Sequence, residues 1–370
     1  MWQARVRDAR ILPAMSRRVL PIVVCLALGC SHGGASSGTG SATTTDAPTA
    51  GSEGTGSQSP TGSDTAAATS TGETGADAES STGTDPAAIE EIQIEVGSLV
   101  FDARAAGPAD GDLVLLLHGF PETSYEWLHH LGALGQAGYR AVAPNQRGYS
   151  PGARPEAVED YALNLLVDDV LGMADELGAS RFHLAGHDWG AGVAWGVAVA
   201  APERVASLST FSVPHLDAFD MQLADMRSCQ YGASAYFDFF STPGVETTML
   251  ANDAAQLRGV YGDLDPAAVD DYLEVLGSEA ALGAALNWYR ANIVERRFVG
   301  TPLGPVTVPT MFVWSDQDSA VCQEGADDTA SFVRGPYRYE VLPGVDHWIP
   351  ERASKQTAAW MLEQLAAYEL

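Results

Sequence analysis

The sequence predicts an α/β protein: a mostly parallel central sheet flanked by helices, with an inserted helical lid. Three observations predict it. Short apolar runs alternate with helix-period stretches, the pattern of strands joined by crossover helices. A strand–turn–helix signature, Gly186-His187-Asp188-Trp189-Gly190, lies in the middle of that alternation. The alternation then stops after Pro214 and resumes only beyond Val299, leaving an insertion rich in Tyr, Phe and Met.

Residues 92–104 form two short strands with a turn at Gly97. Residues 113–117 are all apolar, which marks a strand buried on both faces. A helix over 129–138 ends at Gly138, a residue type suited to the left-handed position after a helix. Residues 139–144 make the next strand. Across 164–177 the residues Leu165, Val167, Val170, Leu171 and Ala174 recur at helical spacing. Residues 182–185, 190–201 and 205–213 follow as strand, helix and strand. The insertion 214–299 has helical patches and no clear strand. After it come a strand at 308–314, a helix near 326–333, a strand at 337–342 and a terminal helix from Arg352.

The chain has 370 residues and 46% hydrophobic side chains, enough for a sizeable core. Its formal net charge is −28. From Ile89 onward, 15 basic and 40 acidic residues leave −25, so the acidity belongs mainly to the folded part. With no basic stripe, such a chain repels nucleic acid, and no nucleic-acid partner is expected.

Residues 1–30 have the layout of a targeting segment. Arg17 and Arg18 precede an apolar run over 19–28, which is too short to span a bilayer. Translation from Met15 instead of Met1 gives a more compact version. Leu26-Ala27-Leu28-Gly29-Cys30 resembles a bacterial lipoprotein lipobox, with Ala27 where Leu is commoner. The resemblance implies an acylated Cys30 as the mature N-terminus of an exported, membrane-anchored protein on the periplasmic or cell-surface side. A plain cleaved secretory signal is the alternative. Residues 31–88 are Gly, Ser, Thr and Ala with scattered acids. Lacking large apolar side chains, they cannot offset chain entropy and form a flexible linker spanning roughly 40–45 Å. The domain proper is then 89–370, with the lid at about 214–299. Outside the signal and the lipidation position, Cys229 and Cys322 remain. They form either one disulfide or two separate buried thiols.

Gly186-x-Asp188-x-Gly190 has nucleophile-elbow spacing, with Asp where the common motif has Ser. A carboxylate attacks carbonyls poorly. It suits displacement at a saturated carbon bearing a strained or good leaving group, giving an alkyl ester that water then hydrolyses. His118-Gly119-Phe120-Pro121 follows the third strand. There the Phe120 N–H joins that of Trp189 as an oxyanion hole, with a cis bond considered at Phe120–Pro121. Asp318, in Ser315-Asp316-Gln317-Asp318, and His347, after the last strand, complete the chain order nucleophile, acid, His. Asp316 is the rival acid.

Four stretches carry a resemblance: His118-Gly-Phe-Pro-Glu-Thr, Asn145-Gln-Arg-Gly-Tyr-Ser150, Gly186-His-Asp-Trp-Gly190 and Asn287-Trp-Tyr-Arg290. Over 89–370 the chain resembles the α/β-hydrolase superfamily and, within it, the epoxide hydrolases. The resemblance implies an α/β-hydrolase fold and opening of a small apolar epoxide by Asp188, with water as co-substrate. It implies no cofactor and no metal. Two lid tyrosines, Tyr289 of the last stretch and Tyr236 ahead of Pro243-Gly244, are implied donors to the epoxide oxygen. His118, Pro121 and Trp288 are implied substrate-binding residues. Ser315 and Asp346 depart from glycines frequent in the family, and Asp346 is expected to raise the pKa of His347 if it faces the ring. A haloalkane dehalogenase shares the nucleophile and the base, with Trp189 as a halide donor. It needs no paired lid tyrosines, and many have Asn where Phe120 stands. A non-catalytic surface binding lipoprotein is the third reading. The oligomeric state is not legible.

Overall fold

The computed structural model describes residues 88–370. The expected signal segment, Cys30 and almost all of the linker lie outside the described residues. Strand β1 (Glu90–Val96) turns back into β2 (Leu99–Ala106). Next come β3 (Leu113–Leu117), α1 (Leu128–Gln136), β4 (Arg140–Pro144), α2 (Leu163–Glu176) and β5 (Phe182–His187). Helix α3 (Trp189–Ala200) and β6 (Val205–Phe211) follow.

With β9 (Thr310–Ser315) and β10 (Tyr337–Leu342) from the end of the chain, the eight strands of the main sheet run in the order β1-β2-β4-β3-β5-β6-β9-β10. Strand β2 pairs antiparallel with β1 and with β4, and the other neighbours are parallel. From β3 the chain steps to β4 on one side, then crosses to β5 on the other. Loops leaving β3 and β5 therefore diverge and open a crevice at their carboxyl ends, where open α/β sheets bind ligands.

Alternation along the strands divides the core between the two faces of the sheet. Val114 and Leu116 of β3 pack with Leu131 and Leu134 of α1. Leu113, Leu115 and Leu117 pack with α2 and α3 on the other face. Helix α3 is apolar nearly all round, with Ala191 to Ala198 buried, which fits a helix enclosed on every side.

Between β6 and β9 lies the inserted lid. It comprises α4 (Leu216–Leu223), α5 (Cys229–Ala233), α6 (Tyr236–Phe240), α7 (Val245–Tyr261), α8 (Pro266–Leu276) and α9 (Glu279–Asn292). Helix α7 is interrupted at Ala251–Ala254, where Asn252, Asp253 and Ala254 are left-handed. The lid does contain strand. Residues Ile293–Val294 (β7) and Arg297–Phe298 (β8) pair as a small hairpin. Two residues a side are too few for an alternating pattern to show in a sequence.

After the lid, β9 (Thr310–Ser315), α10 (Gln323–Asp328), β10 (Tyr337–Leu342), α11 (Ile349–Arg352) and α12 (Ser354–Ala367) complete the domain. Polar contacts seat the lid on the sheet. The Tyr261 hydroxyl donates to the Pro121 carbonyl at 2.7 Å and the Trp288 indole N–H to the Arg147 carbonyl at 2.8 Å. Arg104 of β2 pairs with Asp271 of α8 at 2.5 Å. Cys229 and Cys322 are bonded, which settles the thiol alternative.

Candidate active site

The geometry of the site begins with the turn at Asp188. Its backbone sits at φ 47°, ψ −119°, a region that costs a side-chain-bearing residue about 1–3 kcal/mol. The flanking glycines make this turn possible. A Cβ on Gly190 would lie 2.1 Å from the Leu117 carbonyl oxygen, and one on Gly186 would lie 2.3 Å from that of Gly190. Strand β5, helix α3 and the end of β3 thus meet closer than any side chain allows, and Asp188 is held at the crevice.

Four loops bring partners to it. After β3, the Phe120 N–H donates to Asp188 Oδ1 at 2.9 Å, and the Phe120–Pro121 bond is cis. Trp189 opens α3, so the helix leaves its N–H unpaired. After β10, His347 Nε2 lies 3.5 Å from Asp188 Oδ2. After β9, Asp318 Oδ2 accepts from His347 Nδ1 at 3.0 Å, while Asp318 Oδ1 accepts the N–H groups of Ala320 and Val321 at 2.8 and 2.9 Å. The two oxygens of Asp188 are therefore inequivalent: Oδ1 is already occupied by the amide, and Oδ2 is turned toward the histidine.

After β6 comes a residue that sequence reasoning missed. The Ser212 hydroxyl donates to Asp318 Oδ2 at 2.7 Å and lies 3.0 Å from His347 Nδ1. Its φ is 65°, so the turn after β6 folds it back over the acid–histidine pair. Its one sequence signal is position, a small polar residue just past the end of a central strand, two residues before Pro214.

Burial would raise the pKa of Asp188, but its hydrogen bond to His347, the charges of His347 and His187, and the Phe120 N–H outweigh that and hold it below the usual carboxylate range. Asp318 is held low in the same way by His347, Ser212 and the Ala320 amide. For His347, burial pulls downward, while the Asp318 charge and the hydrogen bonds to Asp188 and Asp318 win and hold it at about 10. The resting site is an imidazolium between two carboxylates.

Asp316 is not the partner acid. It caps the opposite loop, accepting from the Gly344 N–H at 2.7 Å. Asp346 does not face the His347 ring either. It accepts from the Trp348 N–H at 3.2 Å and lies 3.5 Å from Arg352 Nε. Ser315 also has a use, since its hydroxyl donates to the Asp346 carbonyl at 2.8 Å and ties the acid loop to the histidine loop.

Above Asp188 is a cleft walled by Trp189, Val213, Leu216, Phe219, Phe237 and Phe298, with Gly192 and Tyr236 completing the lining. Tyr289 lies beside it, its ring 5.1 Å from that of Trp189 and 5.3 Å from that of Phe120. Burial and the Asp188 charge push both phenols, Tyr236 and Tyr289, well above 10, so both keep their protons. His118 and Trp288 do not line the cleft. His118 accepts the Gln146 N–H at 3.1 Å through Nε2 and lies 2.9 Å from the Gly119 carbonyl through Nδ1. Pro121 carries the carbonyl that receives Tyr261.

Behind the nucleophile lies a buried acid cluster. His187 Nδ1 faces Glu122 and Glu126 oxygens at 2.9 and 3.3 Å, and Nε2 faces the His347 carbonyl at 2.9 Å. Both nitrogens meet only acceptors, so both carry hydrogen. Burial disfavours the charge, and the two glutamates outweigh it, raising the pKa of His187 well above 6.5. Burial and neighbouring carboxylates push Glu122 to about 8, and burial pushes Glu126 to about 6. Glu122 Oε1, Glu126 Oε1 and Glu351 Oε2 are buried without a hydrogen-bond partner among the described residues. The Glu122, Glu126 and His187 atoms are close enough to share a cation, yet their separations are those of direct hydrogen bonds, which shared protons satisfy.

These shifts set the pH dependence of stability. A carboxyl whose folded pKa is raised stabilises the fold below its unfolded pKa and loses that contribution as pH rises through the folded value. Glu122 therefore weakens the fold progressively from about pH 4.5 to about 8. His118, His130, His183 and His215, buried and shifted down to between about 3 and 4, act oppositely but only below their unfolded value near 6.5. Thermal midpoints are expected to fall between pH 6.5 and 8.5, where the raised His347 and His187 act in the same direction as Glu122, and Glu122→Gln is expected to reduce that fall without abolishing it. An unchanged slope in the variant, followed by circular dichroism, would count against a protonated Glu122.

Comparison with known proteins agrees with this geometry. Residues 112–353 match the family model of the alpha/beta hydrolase fold. The chain is 31% identical over 301 residues to epoxide hydrolase A of Mycobacterium tuberculosis, covering 72% of this chain and 94% of that one. It is 32% identical over 274 residues to human epoxide hydrolase 4, covering 70% and 74%. The crystal structure of epoxide hydrolase A from Mycobacterium thermoresistibile superposes with a TM-score of 0.68 at 27% identity, over 76% of this chain and all of that one. With this family match and most of its length aligned with these proteins, the chain belongs to the α/β-hydrolase family and to the epoxide-hydrolase group within it.

Proposed function

We propose that this protein hydrolyses epoxides to vicinal diols through an alkyl ester on Asp188. The observation that carries the reading is the inequivalence of the Asp188 oxygens. Oδ2 attacks an epoxide carbon, the C–O bond opens, and the ring oxygen takes a proton from a lid phenol. Tyr236 and Tyr289 suit this role because burial keeps them protonated. Oδ1 stays on the Phe120 amide as the ester carbonyl oxygen.

Alkylation also changes the histidine. The ester removes the Asp188 charge, so His347 loses one of the two anions that hold its proton, its pKa falls, and its proton passes to the phenolate left by ring opening, which restores the tyrosine. The neutral ring then takes a proton from water as the water oxygen attacks the ester carbon. The tetrahedral oxyanion is stabilised by the Phe120 and Trp189 N–H groups. Collapse expels the diol oxygen, which takes the proton held by the histidine, and the carboxylic acid left on Asp188 passes its own proton to the neutral His347, restoring the carboxylate and the imidazolium. One water is consumed. A leaving halide has no need of two phenols, so the paired tyrosines favour the epoxide over the haloalkane.

His347→Gln is expected to stop ester hydrolysis. Mass spectrometry after incubation with an aryl epoxide should find the adduct on the peptide bearing Asp188, and Tyr236→Phe in that background should slow its formation roughly 100-fold. An unmodified peptide, or turnover of haloalkanes alone, would sink the reading. Ser212 acts as a positioning residue. Ser212→Gly keeps the left-handed backbone while removing the hydroxyl. It should slow ester hydrolysis about tenfold, in line with 1–1.5 kcal/mol for one hydrogen bond, and shift the pH–rate profile while leaving the alkylation rate near wild type. Equal slowing of both steps would argue against that role.

We also propose that residues 1–30 export the chain and that Cys30 anchors it by lipid through the 31–88 linker. The Cys229–Cys322 bond supports an oxidising compartment. Cys30→Ser should move the protein from the membrane fraction to the soluble one, or leave the signal uncleaved. Identical fractionation and processing of both forms would refute the anchor.

A further inference from the structure

The cleft above Asp188 is lined by nine residues. Beyond Asp188 and Tyr236 its lining is apolar, apart from the Trp189 indole. Beside the cleft, Phe120, Phe240 and Tyr289 close on one another with ring centroids 5.1–5.3 Å apart, and none of the three lines it. Among the lining residues only Tyr236 and Phe298 are partly exposed, so these two form the rim. An epoxide seated on Asp188 has room for one apolar arm, running toward that rim.

Phe298 stands on the β7–β8 hairpin, and the hairpin is held in an unusual way. Glu295 and Arg296 at its turn have φ of 50° and 60°, the left-handed region that side-chain-bearing residues seldom occupy. Two arginines fasten it down. Arg297 grips Asp220 of α4 with both guanidinium edges, Nε at 2.7 Å, and the Phe298 N–H donates to the same carboxylate at 3.1 Å. Arg296 grips Asp238 of α6, Nε at 2.9 Å. These helices also carry walls of the cleft, Phe219 on α4 and Tyr236 and Phe237 on α6. The Phe298 ring lies 5.3 Å from Phe219, 6.0 Å from Trp189 and 6.1 Å from Phe237.

We propose that Phe298, set by this arginine-clamped hairpin, determines substrate choice: the enzyme takes terminal epoxides with a single apolar arm, and Phe298 limits the thickness of that arm. This rests on the epoxide-hydrolase reading above and specifies its substrate class. An arm that overfills an apolar pocket by one methylene loses roughly 10–200-fold in kcat/KM, so the rim is expected to discriminate on that scale.

The test uses the full chain and measures kcat/KM for phenyl oxirane, 2-naphthyl oxirane and trans-1-phenylpropylene oxide. Wild type should prefer phenyl oxirane over the trans-disubstituted epoxide by at least tenfold. Phe298→Ala should raise the naphthyl-to-phenyl ratio about tenfold or more and leave the terminal-over-trans preference in place. Arg297→Gln, which leaves the cleft side chains intact, should raise the same ratio to a smaller extent, and it serves as the test should Phe298→Ala fail to fold. An unchanged ratio in whichever of these variants fold, or a wild type that hydrolyses the trans epoxide as fast as the terminal one, overturns the inference while the epoxide-hydrolase reading stands. A wild type that hydrolyses no epoxide overturns both.

Discussion

The close approach of Gly190 to the Leu117 carbonyl is the constraint on which the rest of the site depends. Because β3 and β5 are paired neighbours, with Leu117 opposite Gly186, the loops that leave them start side by side. The missing Cβ atoms let α3 begin directly over the end of β3. The Phe120 amide and the Asp188 carboxylate then meet by construction and not by loop flexibility. A methyl group at residue 190 would have to displace a central strand, and the amide would lose its acceptor.

Electrostatics depends on that placement. Two carboxylates and an imidazolium share a volume almost closed to water, where each charge is tolerable only because the others are near. The ion set is paired in the resting state and becomes unbalanced once Asp188 is esterified, so a single bond-forming event converts the histidine from acid to base. Behind it, His187 holds the His347 carbonyl. The acid cluster thereby steadies the main chain of the catalytic loop, and the His187 ring packs 5.0 Å from that of His347.

Much of this was legible in the sequence, and the reasons differ by residue. Asp188 stood out because paired glycines two residues either side of an acid serve a turn and little else. Asp318 and His347 were legible because strand ends in a parallel sheet point to one edge. Choosing Asp318 over Asp316 needed more, since two acids two residues apart both lie in the loop and only coordinates show that Asp316 turns to Gly344. Ser212 was hidden because a single serine has no pattern. The roles of Glu122, Glu126 and Glu351 were hidden because they come from two distant segments, the loop after β3 and helix α11, and make sense only as a cluster. The β7–β8 hairpin escaped because its turn uses Glu and Arg in conformations normally announced by Gly or Asn. His118 and Trp288 were assigned to substrate from motif membership, yet their polar atoms are engaged by Gly119, Gln146 and Arg147.

The bond between Cys229 and Cys322 joins the first part of the lid to the loop just beyond the acid, across 93 residues of chain. Gln230 doubles the connection, donating to the Ala320 carbonyl at 2.8 Å and accepting from the Cys322 N–H at 2.9 Å. An insertion held only where it leaves and rejoins the sheet can swing like a door on one edge. This one is bolted on a second edge, so the helices bearing the tyrosines are not free to lift away as a unit. Traffic of reactant and product must then pass by rearrangement of individual side chains around a fixed frame, with the frame itself sealed by covalent chemistry completed when the chain folds.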